Sequence, residues 1–267
     1  MCSTCGCSTV PDARKVAYRP ALEETRAVPV LKKLLDRNDT VAAHNRAHFD
    51  AHGVLALDLM SAPGAGKTAL LEATIDALRG ELRMAVIEGD LETDNDARRI
   101  RAKGVPAVQI TTGGACHLDA HMVHEALHEL SLEGVDILFI ENVGNLVCPA
   151  GFDLGQHRDV ALLSVTEGDD KPAKYPVLFC AADVVVLSKS DLLWYVGDFE
   201  PSRAERCVRE LANAAPVMTL SARSGAGMQA WLDWLRSALS VQRARTASHP
   251  SGIERPGASA PAAQPPA

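Results

Sequence analysis

The chain has 267 residues, with 27 Lys and Arg against 34 Asp and Glu for a formal net charge of −7, and is 47% hydrophobic. That length and apolar content suffice for the core of one large or two small domains and exclude a chain that is disordered throughout. The acidic balance argues against a nucleic-acid surface, and no run approaches the roughly 20 apolar residues of a membrane helix, so neither partner is expected.

The N-terminus lacks the basic start and apolar core of a signal peptide, and a cytoplasmic location is expected. In such a reducing compartment the seven cysteines do not form a disulfide framework. Cys2, Cys5 and Cys7 stand close enough to converge on one ion without a fold around them. Loss of the initiator Met would free an α-amine as a fourth donor. Three sulfurs and a nitrogen suit planar Ni(II) or tetrahedral Zn(II). The alternative, three idle thiols, stays open. Residues 1–40 mix charges and prolines and read as a flexible metal-binding arm. Within it Leu31, Leu34 and Leu35 hint at a short helix that continues weakly to His52, along which His44, His48 and His52 repeat at i+4.

Residues 41–240 then alternate apolar runs with loops and helical spacing. Strands are expected at 54–60, 84–87, 107–110, 137–140, 160–165, 184–187 and 217–220. Helices are expected at 69–78, 94–103, from Gly114 to about Leu130, and at 228–239. Strand, loop and helix repeated in this order predict an α/β fold, a mostly parallel sheet of about seven strands covered on both faces. Aromatics are only 4%, which suits small aliphatic side chains in buried parallel strands. Residues 241–267 hold five of the 15 prolines and seven alanines and read as a disordered tail.

The loop after the first strand reads SAPGAGKT (61–68), close to G-x-x-x-x-G-K-[ST] with Ser61 in place of the first glycine. Amides around Gly64, Ala65, Gly66 and Ala69 would cradle phosphate oxygens, with Lys67 as the cation and Thr68 as a hydroxyl for Mg²⁺. SKSD, after the 184–187 run, resembles the [NT]-K-x-D guanine motif of GTPases. Asp191 would accept from both guanine donors, Lys189 would lie over the base, and Ser188 stands where Asn is usual. Ser221 and Ala222 resemble the loop that supports the base. Glu141 at the end of the 137–140 strand would lie near Mg²⁺, and Gly144 would offer an amide to the γ-phosphate. Asp90 and Asp96, at a carboxyl strand end, are candidates for Mg²⁺ and water positioning; a solvated loop with Asp94 as helix cap is the other reading.

A second metal constellation is Cys116, His117 and Cys148. Cys116 is expected at a helix N-terminus, where thiolate is stabilised. Cys148 follows Gly144 in the γ-phosphate loop, which proposes a link between nucleotide state and metal ligation. His117, His121, His124 and His128 would share one helical face, the last two as a solvated stripe, and Cys180 and Cys207 are expected as core packing.

CSTCGC, HNRAHF, SAPGAGKT, GDLETDNDARR, CHLDAHMV, ENVGNLVCPAGFDLG, TEGDDKPAKYP and SKSD together resemble the hydrogenase nickel-incorporation GTPase family. The resemblance implies a P-loop fold that dimerises through its nucleotide face when GTP is bound. It implies GTP and Mg²⁺ as ligands; hydrolysis is expected to be slow, because no arginine finger is identifiable in the sequence. It implies Ni²⁺ at Cys2, Cys5 and Cys7, and Ni²⁺ or Zn²⁺ at Cys116, His117 and Cys148. It also implies two partners, a second nickel-chaperone accessory protein and the hydrogenase large-subunit precursor. A long His-rich nickel store, present in some relatives, is absent. The same chemistry serving urease, or a nucleotide-tuned metal buffer, are the alternatives.

Overall fold

The computed structural model describes the backbone of residues 27–248 and side chains from residue 35; Cys2, Cys5 and Cys7 lie outside the described residues. From residue 35 onward these form one compact unit. In chain order the elements are α1 (Ala27–His52), β1 (Leu55–Ser61), α2 (Lys67–Leu78), β2 (Met84–Asp90), α3 (Asn95–Ala102), β3 (Ala107–Thr111), α4 (Ala120–Leu127) and β4 (Ile137–Glu141). There follow β5 (Arg158–Ser164), α5 (Lys171–Lys174), α6 (Pro176–Ala181), β6 (Val184–Ser188), α7 (Pro201–Glu210), β7 (Val217–Thr219) and α8 (Met228–Ser248). The seven strands pair in parallel in the order β3-β2-β4-β1-β5-β6-β7. The chain leaves β1 toward β2 on one side and crosses from β4 to β5 on the other. The carboxyl end of β1 is therefore a topological switch point, where ligands bind in sheets of this kind.

Both faces of the sheet are covered, so the strands are apolar on both. Leu55, Leu57 and Leu59 of β1 pack with Leu70, Ile75, Trp231 and Leu235 from α2 and α8. The alternate residue Ala56 joins Phe49 and Val123, from α1 and α4, on the other face. A third cluster gathers Leu163, Val185, Phe179 and Val208 under α6 and α7. Trp231, fully buried, donates from Nε1 to Thr74 Oγ1 at 2.9 Å, so its one polar atom is satisfied. Among the described residues no helix is long and apolar enough to cross a membrane.

Three sequence expectations change. The helix expected from Leu31 to His52 is present as one 26-residue element, so residues 27–40, expected within a flexible arm, are helical. The segment expected as a tail begins inside α8, which continues past residue 240 to Ser248 and buries Gln242 against Asp50 and Val54. Cys180 is exposed and Cys207 half-buried, because α6 turns Leu178 and Phe179 inward and leaves Cys180 on its outer side.

His157 sits between α1 and the sheet. Ala56 N–H donates to its Nδ1 at 2.9 Å and its Nε2 contacts Asp50 Oδ1 at 3.0 Å. Protonating Nδ1 would break the first bond, and the ring is pushed down to about 4, mainly by burial against the partial opposition of Asp50. A histidine depressed in the fold contributes stability that is present above its unfolded value near 6.5 and is lost as pH falls toward 4. Asp159, lifted to about 6 chiefly by burial, acts in the opposite sense over part of that range. The effect is therefore a difference. From pH 6.5 to 4 the wild-type chain is expected to lose on the order of 3 kcal/mol relative to His157→Gln, by urea unfolding at each pH. Parallel pH profiles for the two proteins would refute it.

Candidate functional site

The loop from β1 to α2 turns at Gly64 (φ 75°) and Gly66 (φ 101°), and the left-handed backbone is what requires glycine there. It delivers Lys67 and Thr68 to the first turn of α2 almost wholly buried. Lys67 Nζ donates to Ser61 Oγ at 3.1 Å and lies 4.0 Å from Glu141 Oε1. Thr68 Oγ1 donates to that same oxygen at 3.0 Å. Ser61, in place of a glycine, thus gives Lys67 a neutral partner and directs its own proton to Ala62 O at 2.7 Å.

Glu141 has a neighbour that the sequence reading did not single out. Glu88 of β2 stands opposite it in the strand register. Both carboxyls are raised by burial, Glu88 further by the charge of Glu141, whereas Lys67 pulls the other way. Glu88 Oε1 and Glu141 Oε2 are buried without hydrogen-bond partners. A Thr hydroxyl beside partnerless carboxylate oxygens is a donor set for a hard divalent cation, so these residues fit Mg²⁺. A glutamate inside the otherwise apolar run AVIE was the available signal for Glu88.

Lys67, Thr68 and Glu141 line a cavity of about 420 Å³ together with Asp90 and Asp96. Asp90 Oδ1 closes its own loop, accepting from Glu92 N at 3.0 Å and Thr93 N at 2.8 Å. Burial raises its carboxyl, but these bonds outweigh burial and leave it below the usual carboxylate value. Asp96, in the first turn of α3, pairs with Arg99 at 2.8 Å. Asp94 precedes that helix, but its carboxylate pairs with Arg98 instead of capping it.

Gly144, also on the cavity wall, backs onto the phosphate loop. A Cβ there would lie 2.8 Å from Pro63 Cα, closer than a side chain permits. Gly144→Ala is expected to weaken nucleotide binding at least tenfold by pushing the two loops apart, read from titration with a fluorescent guanine nucleotide. Unchanged affinity would show that this contact does not shape the cavity.

A second cavity of about 340 Å³ adjoins the first and is lined by Ala65, Ala69, Lys189, Asp191, Ser221 and Ala222. Ser221 Oγ donates to Asp191 Oδ1 at 2.6 Å, which orients the carboxylate and leaves its other oxygen available. Ser188 is buried and donates to Ala65 O at 2.6 Å; Lys189, in left-handed backbone, donates to Gly64 O at 2.6 Å. The SKSD loop is therefore tied to the phosphate loop, and Ser188 holds protein.

The metal constellation is assembled beyond β4. Cys116 Sγ and Cys148 Sγ lie 3.1 Å apart, and Cys116 Sγ is 3.8 Å from His117 Nδ1. One donor atom from each of the three residues lies within 4.8 Å of the others. Cys116 Sγ donates to Cys148 Sγ, and this contact first, then burial, raises the Cys148 thiol. His117 stacks on Phe152 with ring centroids 4.0 Å apart. Cys116 is not at a helix N-terminus. Asp119 caps α4, accepting from Met122 N at 2.8 Å, and Leu118 N is held at 3.0 Å by Asn142 Oδ1. The helix starts at Ala120, so its dipole does not act on this thiol and His117 does not share the face of the later histidines.

Asn142 is a second residue that the sequence reading passed over. Its buried amide bonds both Asp58 oxygens, at 3.2 and 3.1 Å, while its oxygen accepts from Leu118 N and Val143 N. Asn145 Nδ2 donates to Cys116 O at 3.2 Å. The two loops that carry the thiols are thereby joined. Past Cys148 the chain is held by α1: Arg46 forks onto Asp153 at 2.9 and 3.0 Å, and Asn45 reaches Leu154 O at 3.1 Å.

The model of the CobW/HypB/UreG nucleotide-binding domain matches residues 56–219. Hydrogenase maturation factor HypB of Azotobacter chroococcum mcd 1 is 53% identical over 221 residues, covering 82% of this chain and 72% of its own. The chain belongs to the HypB family. A Helicobacter pylori relative described as hydrogenase/urease maturation factor HypB is 42% identical over 212 residues, covering 78% of this chain and 86% of its own. The crystal structure of HypB from Helicobacter pylori in complex with nickel superimposes with a TM-score of 0.74 at 40% identity, over 78% of this chain and 97% of that one. The seven-stranded parallel sheet with helices on both faces is thus the HypB fold.

Proposed function

We propose that this HypB-family chain is a GTP-hydrolysing nickel metallochaperone of the cytoplasm, which delivers nickel with GTP hydrolysis to the hydrogenase large-subunit precursor. The observation that carries this reading is one short segment. Glu141 shares Thr68 and Lys67 with the phosphate cavity, Gly144 abuts Pro63 of the phosphate loop, and Cys148 lies beside Cys116. The nickel named with the Helicobacter pylori structure supports nickel as the cargo.

Lys67 and the loop amides neutralise the phosphates, and Asp191 selects guanine. Thr68 and Glu141 would hold Mg²⁺, which when bound offsets charge on the phosphate oxygens. Asp90 and Asp96 position the attacking water. Cys116, His117 and Cys148 hold Ni²⁺ or Zn²⁺, leaving one position for a partner's ligand. Cys2, Cys5 and Cys7 form the N-terminal nickel site, carried ahead of α1 and the GTPase domain. GTP favours a homodimer through the nucleotide face, and loss of the γ-phosphate relaxes the loop of Cys148 so that metal passes to a partner chaperone or the precursor.

Nickel titration of the apo, GDP and non-hydrolysable GTP forms tests this. The Cys116 site is expected to bind at least fivefold more tightly in the GTP form, and Cys148→Ala should remove that equivalent while sparing hydrolysis. Equal affinity in all three states would sink the switch. The Helicobacter pylori relative's description favours urease as a second recipient; urease activity in a deletion strain separates the two.

A further inference from the structure

The two histidine series of the sequence meet across α1 and α4. The rings of His44 and His124 lie 5.1 Å apart and those of His124 and His128 5.0 Å apart. Donor atoms of His124, Glu125 and His128 all fall within 4.8 Å of one another. His124 and His128 are one helical turn apart, the spacing at which two imidazoles chelate one ion.

A buried asparagine sets the tautomer of the central ring. Asn45 Nδ2 donates to two carbonyls, Ala120 O at 2.8 Å and Leu154 O at 3.1 Å, so its orientation is unambiguous and its Oδ1 is an acceptor. That oxygen lies 3.2 Å from His124 Nδ1. Nδ1 must therefore carry the hydrogen, and Nε2 keeps its lone pair. An imidazole that donates one N–H to a buried acceptor and presents the other nitrogen bare is the arrangement found behind metal ligands. A merely solvated stripe needs no such support, and Asn45 is fully buried.

We propose that His44, His124 and His128, with Glu125, form a further binding site for a divalent transition-metal ion of the nickel–zinc class, separate from both cysteine clusters. Three imidazoles and one carboxylate suit such ions and disfavour Mg²⁺. The same Asn45 amide that sets His124 also holds Leu154, in the segment that follows Cys148.

The test uses the full chain with Cys2, Cys5, Cys7, Cys116 and Cys148 replaced by Ser, titrated with Ni²⁺ and with Zn²⁺. One equivalent is expected, weakened at least tenfold by His124→Ala with His128→Ala and also weakened by His44→Ala. Bound Cu²⁺ should show nitrogen hyperfine splitting that the double variant loses. In the chain with its cysteines intact the double variant should bind one equivalent fewer, which serves should the five-Ser protein fail to fold. No equivalent in a folded five-Ser protein, or one indifferent to both His124 and His128, overturns the site. Because the cysteine sites are absent from that protein, the result is independent of nucleotide gating.

Discussion

Lys67→Ala is expected to lower GTP hydrolysis by about 10²- to 10³-fold, the usual cost of removing one preorganised donor to developing charge. The lysine is almost wholly buried, with its ammonium between Ser61 Oγ and Glu141 Oε1. It is one of the groups that pull the buried carboxyls of Glu88 and Glu141 back toward ionisation. Its loss leaves those carboxyls with less compensating charge, so they hold protons more firmly and serve less well as cation ligands. Phosphate release at saturating nucleotide measures the effect. A thermal melt alongside distinguishes lost chemistry from lost fold, since stranding buried carboxyls also lowers stability. Hydrolysis within threefold of wild type would remove Lys67 from the site.

Asp191→Asn is expected to exchange one nucleotide for another. A carboxylate accepts from guanine N1–H and the exocyclic amine together, and bonds to charged groups contribute about 1.5–3 kcal/mol each. Asparagine offers one acceptor and one donor, so it faces guanine with a mismatch. Xanthine carries a carbonyl where guanine carries the amine, and there the amide donor finds an acceptor. GTP affinity should fall about 10²- to 10³-fold and xanthosine triphosphate should become the better ligand. The Ser221 hydroxyl that now donates to Asp191 can donate equally to the asparagine oxygen, so the loop keeps its shape. Competition binding of GTP, ATP and xanthosine triphosphate decides the matter. Undiminished GTP preference would move guanine recognition elsewhere in the second cavity.

The strands were readable because each is a short apolar run closed by Gly, Pro or polar residues, as buried parallel strands must be. The SAPGAGKT and SKSD loops were readable because each is contiguous in sequence, and the structure brings them together. What escaped the reading depends on register or on distant partners. Glu88 matters because pairing of β2 with β4 sets it opposite Glu141. The start of α4 was misplaced because Asn142, on another strand's end, draws Leu118 N–H out of the helix. Cys180 looked apolar enough to bury, but the inward face of so short a helix was already filled by Leu178 and Phe179. The two histidine series were each visible at i+4, whereas their meeting required α1 to lie against α4.

The segment that carries Cys148 is pinned like a bridge deck on two piers. At one end Gly144 presses on Pro63; at the other Asp153 and Leu154 are bolted to α1 through Arg46 and Asn45. Between them Asn145 ties the span to Cys116 O and Phe152 stacks on His117, so in the proposed switch a displacement at the first pier reaches both thiol loops together. Should the proposed switch operate, one residue added between Asn145 and Phe152 is expected to weaken the nucleotide dependence of metal binding while each ligand stays in place.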